Sequence, residues 1–154
     1  MTDAESTPPP APAAPYTRPL PAPSAVSQPF WDAAQGHRLV IQRSKKTGKY
    51  VFYPRLVSPF GTDDELEWTE VSGRGTVYSY TVARRPTAPQ WAAEGPYVIA
   101  IVELGEGPHM TANIIGCDPD SVRCGMTVEA AFVDVTPEVT LVQFRPTGEG
   151  SPAG

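Results

Sequence analysis

Between Arg38 and Arg145 the chain is a succession of short β-rich runs, and no long helical period competes with them. Such a chain has to bury its apolar side chains by pairing and closing strands rather than by packing helices. The runs are Arg38–Arg43, Lys49–Tyr53, Leu66–Val71, Thr76–Arg84, Tyr97–Leu104, His109–Ile115, Thr127–Val133 and Val139–Arg145. Within Tyr97–Leu104, Val98, Ala100, Val102 and Leu104 alternate with Ile99, Ile101 and Glu103. Both faces of that strand are therefore apolar, which predicts a central position in a barrel. Ser72-Gly73-Arg74-Gly75 sets two glycines where a strand must bend to enter it.

Two helical signals interrupt the strands. Ser27–Gly36 reads as a short helix, with Ser27 or Gln28 near its cap, Pro29 in the first turn and Gly36 closing it, docked by Phe30 and Trp31. Asp118–Arg123 reads as about one turn, capped by Asp118, with Pro119 at the first helical position and Gly125 beyond the end. The first two β-rich runs, joined by Ser44-Lys45-Lys46-Thr47-Gly48, form a small ribbon whose glycine suits a hairpin loop. Five later strands, with the short helix between the third and fourth, give the layout of an all-β OB-fold barrel. The predicted organisation is a tail over 1–27, a helix over 28–37, a ribbon over 38–71, the barrel over 72–146 and a flexible tail over 147–154.

Nine of the 19 prolines precede Phe30, in an Ala-rich stretch with almost no large aliphatic side chains. That stretch cannot form a core and is expected to be a disordered, polyproline-like arm. With Asp3 and Glu5 and no continuous apolar centre, it suits neither a secretory signal nor a transit peptide, so the expected compartment is the cytoplasm. No run approaches the ~20 apolar residues of a membrane span. Net charge is −5. Arg38, Arg43, Lys45, Lys46, Lys49 and Arg55 crowd one segment, followed by Asp63, Asp64, Glu65, Glu67 and Glu70, which read as oppositely charged solvated faces or loops. Cys117 and Cys124 match neither a zinc knuckle nor a redox pair and are read as reduced structural thiols.

Catalytic chemistry is hard to find. His37 and His109 are the only histidines, and neither lies in a motif that would pair it with a nucleophile. The carboxylates from Asp63 to Glu70 lack the alternating ligands of a calcium loop, and Gly73-Arg74-Gly75 and Gly105-Glu106-Gly107 lack the following helix of a nucleotide cradle. Trp68, Tyr78, Tyr80, Arg84 and Arg85 could stack and hold single-stranded nucleic acid, as on other OB-folds, but the acidic balance opposes a polyanion.

The order and spacing of short landmarks resemble the DUF35 family of zinc-ribbon and OB-fold proteins associated with acyl-CoA. These landmarks are Pro29-Phe30-Trp31, Gly36-x-Arg38-Leu39, Pro54-Arg55, Trp68-x-x-Val71-Ser72-Gly73-x-Gly75-x-Val77, Arg85, Pro96-Tyr97, Val102-Glu103-Leu104, Gly125-Met126-x-Val128 and Phe144-Arg145-Pro146. The resemblance covers about Pro29 to Pro146. It implies a rubredoxin-like ribbon in which C-x-x-C twice holds one zinc. Here those positions are Ser44 and Thr47, then Ser58 and about Gly61, so a degenerate ribbon without zinc or other cofactor is expected. It further implies a non-catalytic subunit of a hetero-oligomer, beside a thiolase-like enzyme or occasionally a hydratase or aldolase, that helps bind acyl-CoA. Arg84 and Arg85, then Arg55 and Lys49, are the candidate contacts for CoA phosphates, and Phe30 and Trp31 the candidate docking residues. A stand-alone OB-fold module for single-stranded nucleic acid or another ligand, and a stand-alone enzyme, are the competing readings.

Overall fold

Alternation along Tyr97–Leu104 sends Val98, Ala100, Val102 and Leu104 inward, each at most 2% exposed, and Ile99 and Ile101 outward. In the computed structural model, which describes residues 15–85 and 87–148, this strand sits between two barrel neighbours as expected. Its second apolar face is not buried, however, since Ile99 and Ile101 are each 37% exposed.

The elements run α1 (Gln28–Gln35), β1 (Val40–Ser44), β2 (Tyr50–Val51), β3 (Leu66–Glu70), β4 (Arg74–Ala83), β5 (Tyr97–Leu104), β6 (His109–Ile114), β7 (Thr127–Thr136) and β8 (Val139–Pro146). Short 3-10 turns lie at Pro89–Glu94 and Pro119–Ser121. β2, β1 and β3 form an antiparallel ribbon, while β4-β5-β6-β8-β7 close into a barrel. The closing pair β6 and β8 runs parallel through Ile114 and Phe144. Phe144, Val102, Val122 and Val128 are fully enclosed at 0% exposure, and burying a side chain of this size contributes roughly 1.5–3 kcal/mol. Phe30, Leu39 and Ile41 join the same core, so helix and ribbon are packed onto the barrel rather than tethered to it.

Gly75 is dictated by close approach: a Cβ there would stand 2.5 Å from the Glu103 carbonyl oxygen. That oxygen belongs to the paired strand β5, whose Leu104 lies opposite Gly75, so neither side can yield. The turn at Pro119–Ser121 is capped as expected, with Asp118 accepting from the Asp120 N–H at 2.8 Å.

Phe30, Ala33 and Ala34 form the buried stripe of α1, at the spacing of one helical face. The chain reverses after the helix at His37, whose φ of 55° lies in the left-handed region, and not at Gly36. A non-glycine residue is disfavoured there. His37 is held by stacking on Phe132 at 5.5 Å and by Asp134 at 3.0 Å. Asp134 is held below the usual carboxylate range by the Thr140 hydroxyl and then by His37.

The tail expected to be disordered through Ser27 is placed from residue 15 onward, whereas residues 1–14 lie outside the described residues. The Arg18 guanidinium lies over the Trp91 ring at 4.7 Å and the Tyr16 ring at 5.1 Å, and Ser24 and Ser27 form a turn into α1. Of the C-terminal segment, Thr147 still pairs with Thr127; residues 149–154 lie outside the described residues. Among the described residues no helix is long and apolar enough to cross a membrane.

Candidate functional site

In the ribbon, positions 44 and 58 carry serines whose hydroxyls converge on one carboxylate. Ser58 Oγ donates to Asp64 Oδ2, the Lys46 N–H donates to Asp64 Oδ1 at 3.1 Å, and the Ser44 hydroxyl bonds the same group. Ser44 also accepts from the Thr47 N–H at 2.9 Å, and Ser58 from the Phe60 N–H at 3.2 Å. Asp64, read from the sequence as part of a solvated acidic run, is 8% exposed. Hydrogen bonds from Ser58 and then Ser44 hold its carboxyl below the ordinary range. The four positions do not fit zinc: two offer hydroxyls already committed to Asp64 or the backbone, Thr47 offers a weak oxygen donor, and Gly61 offers no side chain. Among the described residues no group of three or more His, Cys, Asp or Glu is placed to hold a metal ion.

The same staple fixes a loop. Gln42, buried on β1, donates to the Arg55 carbonyl at 2.8 Å and accepts from the Arg55 N–H at 2.6 Å. Ser58, three residues after Arg55, is tied to Asp64. Between these two anchors Leu56 and Val57 stand out at 85% and 62% exposure, flanked by exposed Tyr53 and Phe60. A rigid loop that presents four large apolar side chains to water is a characteristic of an interaction surface.

Beneath the loop, α1, Phe52–Pro54, β6 and β8 enclose a cleft of about 420 Å³. Its walls include Phe30, Trp31, Phe52, Met110 and Val142, and Gln143 lies among them. The volume falls within the range of pockets that accept small organic ligands.

The residues expected to bind phosphate are not gathered in one place. Arg84 pairs with Asp120. Arg85 is exposed beside it in sequence. Lys49 lies over the Phe60 ring at 5.6 Å, and Arg55 borders a separate cleft with Asp64 and Glu65. Apart from Asp64, the basic and acidic segments are solvated, as expected, but pair with each other: Lys45 meets Glu65 at 2.8 Å, Lys46 meets Asp63 and Arg38 meets Glu70 at 3.3 Å. Of the docking pair, Phe30 is only 6% exposed and packs edge-on against Trp31 and against Phe52. It belongs to the core and, with half-buried Trp31, forms part of the cleft wall.

Comparison with known proteins fits this geometry. A "DUF35 domain-containing scaffold protein" of Methanothermobacter thermautotrophicus is 37% identical over 105 residues, which cover 68% of this chain and 78% of the relative. The chain belongs to the DUF35 family. The family model for the C-terminal OB-fold domain of ChsH2 matches residues 68–133. A solved chain of an Ltp2–ChsH2(DUF35) aldolase superposes with a TM-score of 0.72 at 38% identity, covering 82% of this chain and 98% of that one. A probable enoyl-CoA hydratase alpha subunit of Thermomonospora curvata is 39% identical over 129 residues. This chain spans 84% of its own length in that match but only 40% of the relative's. The scaffold name belongs to the first relative, and the aldolase and hydratase names to the other two.

Proposed function

We propose that this chain is a non-catalytic accessory subunit that docks on a thiolase-like or related acyl-CoA enzyme and helps hold its acyl-CoA substrate. The observation that carries the reading is the apolar loop from Tyr53 to Phe60, anchored at Arg55 and Ser58 and exposed at Leu56 and Val57. A loop fixed before binding loses little entropy on docking, and central apolar side chains supply most of the affinity at interfaces. Arg55 and Lys49, the cations that flank this tip, are assigned to its rim. They fit a partner groove with acidic edges, although the chain itself carries a net charge of −5. The scaffold protein and the aldolase assembly among the relatives support an enzyme as occupant.

For the ligand, the cleft beside the barrel suits an apolar acyl or pantetheine segment. Arg84 and Arg85 are the proposed phosphate contacts, with Asp120 the counter-ion that Arg84 would exchange for phosphate. The strand register supports this placement. Ala83 pairs with Tyr97 on β5, and Ile99, two residues on, pairs with Asn113, which lines the cleft. Two strand spacings, about 10 Å, separate β4 from β6. The enzyme supplies the reacting groups. Native mass spectrometry of the chain purified from its source is expected to show an acyl-CoA enzyme at a fixed ratio to it. A chain that runs alone would overturn the proposal.

A further inference from the structure

The cleft contains one polar side chain whose burial no contact among the described residues explains. Gln143, on β8, is 9% exposed and lines the cleft among Phe30, Trp31, Met110 and Val142. Asn113, on the same wall, spends its amide on the Val98 carbonyl at 2.9 Å. The Gln143 amide has no hydrogen-bond partner among the described residues. Among the described residues the single sealed orphan is Glu106 Oε2, so neither polar atom of Gln143 is sealed inside the protein, and the amide opens to the cleft that its residue lines. A primary amide held in an apolar wall costs free energy unless its donors and acceptor are met.

We infer that Gln143 is the polar anchor of this cleft and hydrogen-bonds an amide or thioester carbonyl of a chain-like ligand lying in it. A carboxamide can donate and accept at one point, which matches the secondary amides of a pantetheine arm, while Phe30, Trp31, Met110 and Val142 cover its methylene and methyl groups. This deepens the acyl-CoA reading and rests on it. The same arm is carried by a CoA thioester and by the prosthetic group of an acyl carrier protein.

Calorimetric titration of the full chain with pantetheine, acetyl-CoA and octane tests the inference. Gln143→Leu keeps the apolar volume and removes the amide. It is expected to weaken pantetheine about tenfold, the value of one hydrogen bond, to leave octane binding unweakened, and to leave Tm unchanged or raised. Gln143→Met, a second volume-conserving change, is expected to do the same. Unchanged pantetheine affinity in both variants would overturn the anchor, as would a fall in Tm showing that the amide serves the fold. Acetyl-CoA binding tighter than pantetheine assigns the arm to CoA, and equal affinity assigns it to a carrier protein; the tenfold loss holds in either case. The two readings fail separately. A chain that binds pantetheine through Gln143 yet has no enzyme partner refutes only the accessory role, and an intact enzyme complex indifferent to Gln143 refutes only the anchor.

Discussion

Leu56→Asp combined with Val57→Asp is expected to weaken association with the proposed enzyme partner by at least about a hundredfold and to leave the fold intact. The two side chains touch water in the isolated chain, at 85% and 62% exposure, so charging them removes no core contact. On docking they would be desolvated, and a buried unpaired carboxylate costs several kcal/mol. The loop keeps its shape because its anchors, Gln42 with Arg55 and Ser58 with Asp64, lie on either side of the substitutions. Affinity is read by surface plasmon resonance against the co-purified enzyme, and folding by thermal melting. Wild-type affinity in the double variant would exclude the loop from the interface. A matching change at Phe30 would be uninformative, since Phe30→Ala opens the core shared with Phe52.

Asp64→Ala lowers Tm by about 5–10 °C and loosens the ribbon before the barrel. The carboxylate gathers the hydroxyls of Ser58 and Ser44 and the Lys46 N–H, so its removal strands several donors at once. Asp64→Asn keeps the shape but turns an NH₂ group toward donors, and is expected to fall nearly as far. Because the carboxyl is held below its ordinary range, its contribution is complete above the unfolded-state value and is lost as pH falls through the folded-state value. Wild-type Tm should therefore drop on acidification below about pH 4, while Asp64→Asn shows less of that drop. Hydrogen exchange resolved along the chain distinguishes ribbon opening from global unfolding. Equal Tm and equal acid sensitivity in wild type and Asp64→Asn would show that the staple contributes nothing.

Strand patterning made the barrel legible in the sequence, because β-rich runs recur from Thr76 to Arg145 with no long helical period among them and Gly73 and Gly75 mark the entry of β4. The turn at Asp118 was legible for a similar reason, since cap and first-turn proline are adjacent in sequence. What the sequence hid depends on contacts between distant residues. Asp64 lies in an acidic run that looks solvated, and only the convergence of Ser44 and Ser58 reveals that it is buried. Two serines at positions where a metal would otherwise sit were the available hint, because small hydroxyls facing each other require an acceptor. Phe30 carries the chemistry of a docking residue, yet the helical stripe it shares with Ala33 and Ala34 commits it to the core. The stack of Arg18 on Trp91 joins residues more than seventy positions apart and has no local signature. Leu56 and Val57 fall between the β-rich runs Lys49–Tyr53 and Leu66–Val71 and carry no local signal, so only their exposure marks them as a surface.

The central claim is that this chain adds binding and no catalytic groups. Its direct test is acyl-CoA turnover by the enzyme alone, by this chain alone and by the two recombined. The expected result is no turnover by this chain, impaired turnover by the enzyme stripped of it, and recovery at the native stoichiometric ratio. Turnover by the isolated chain, or full activity of the enzyme without it, would contradict the account.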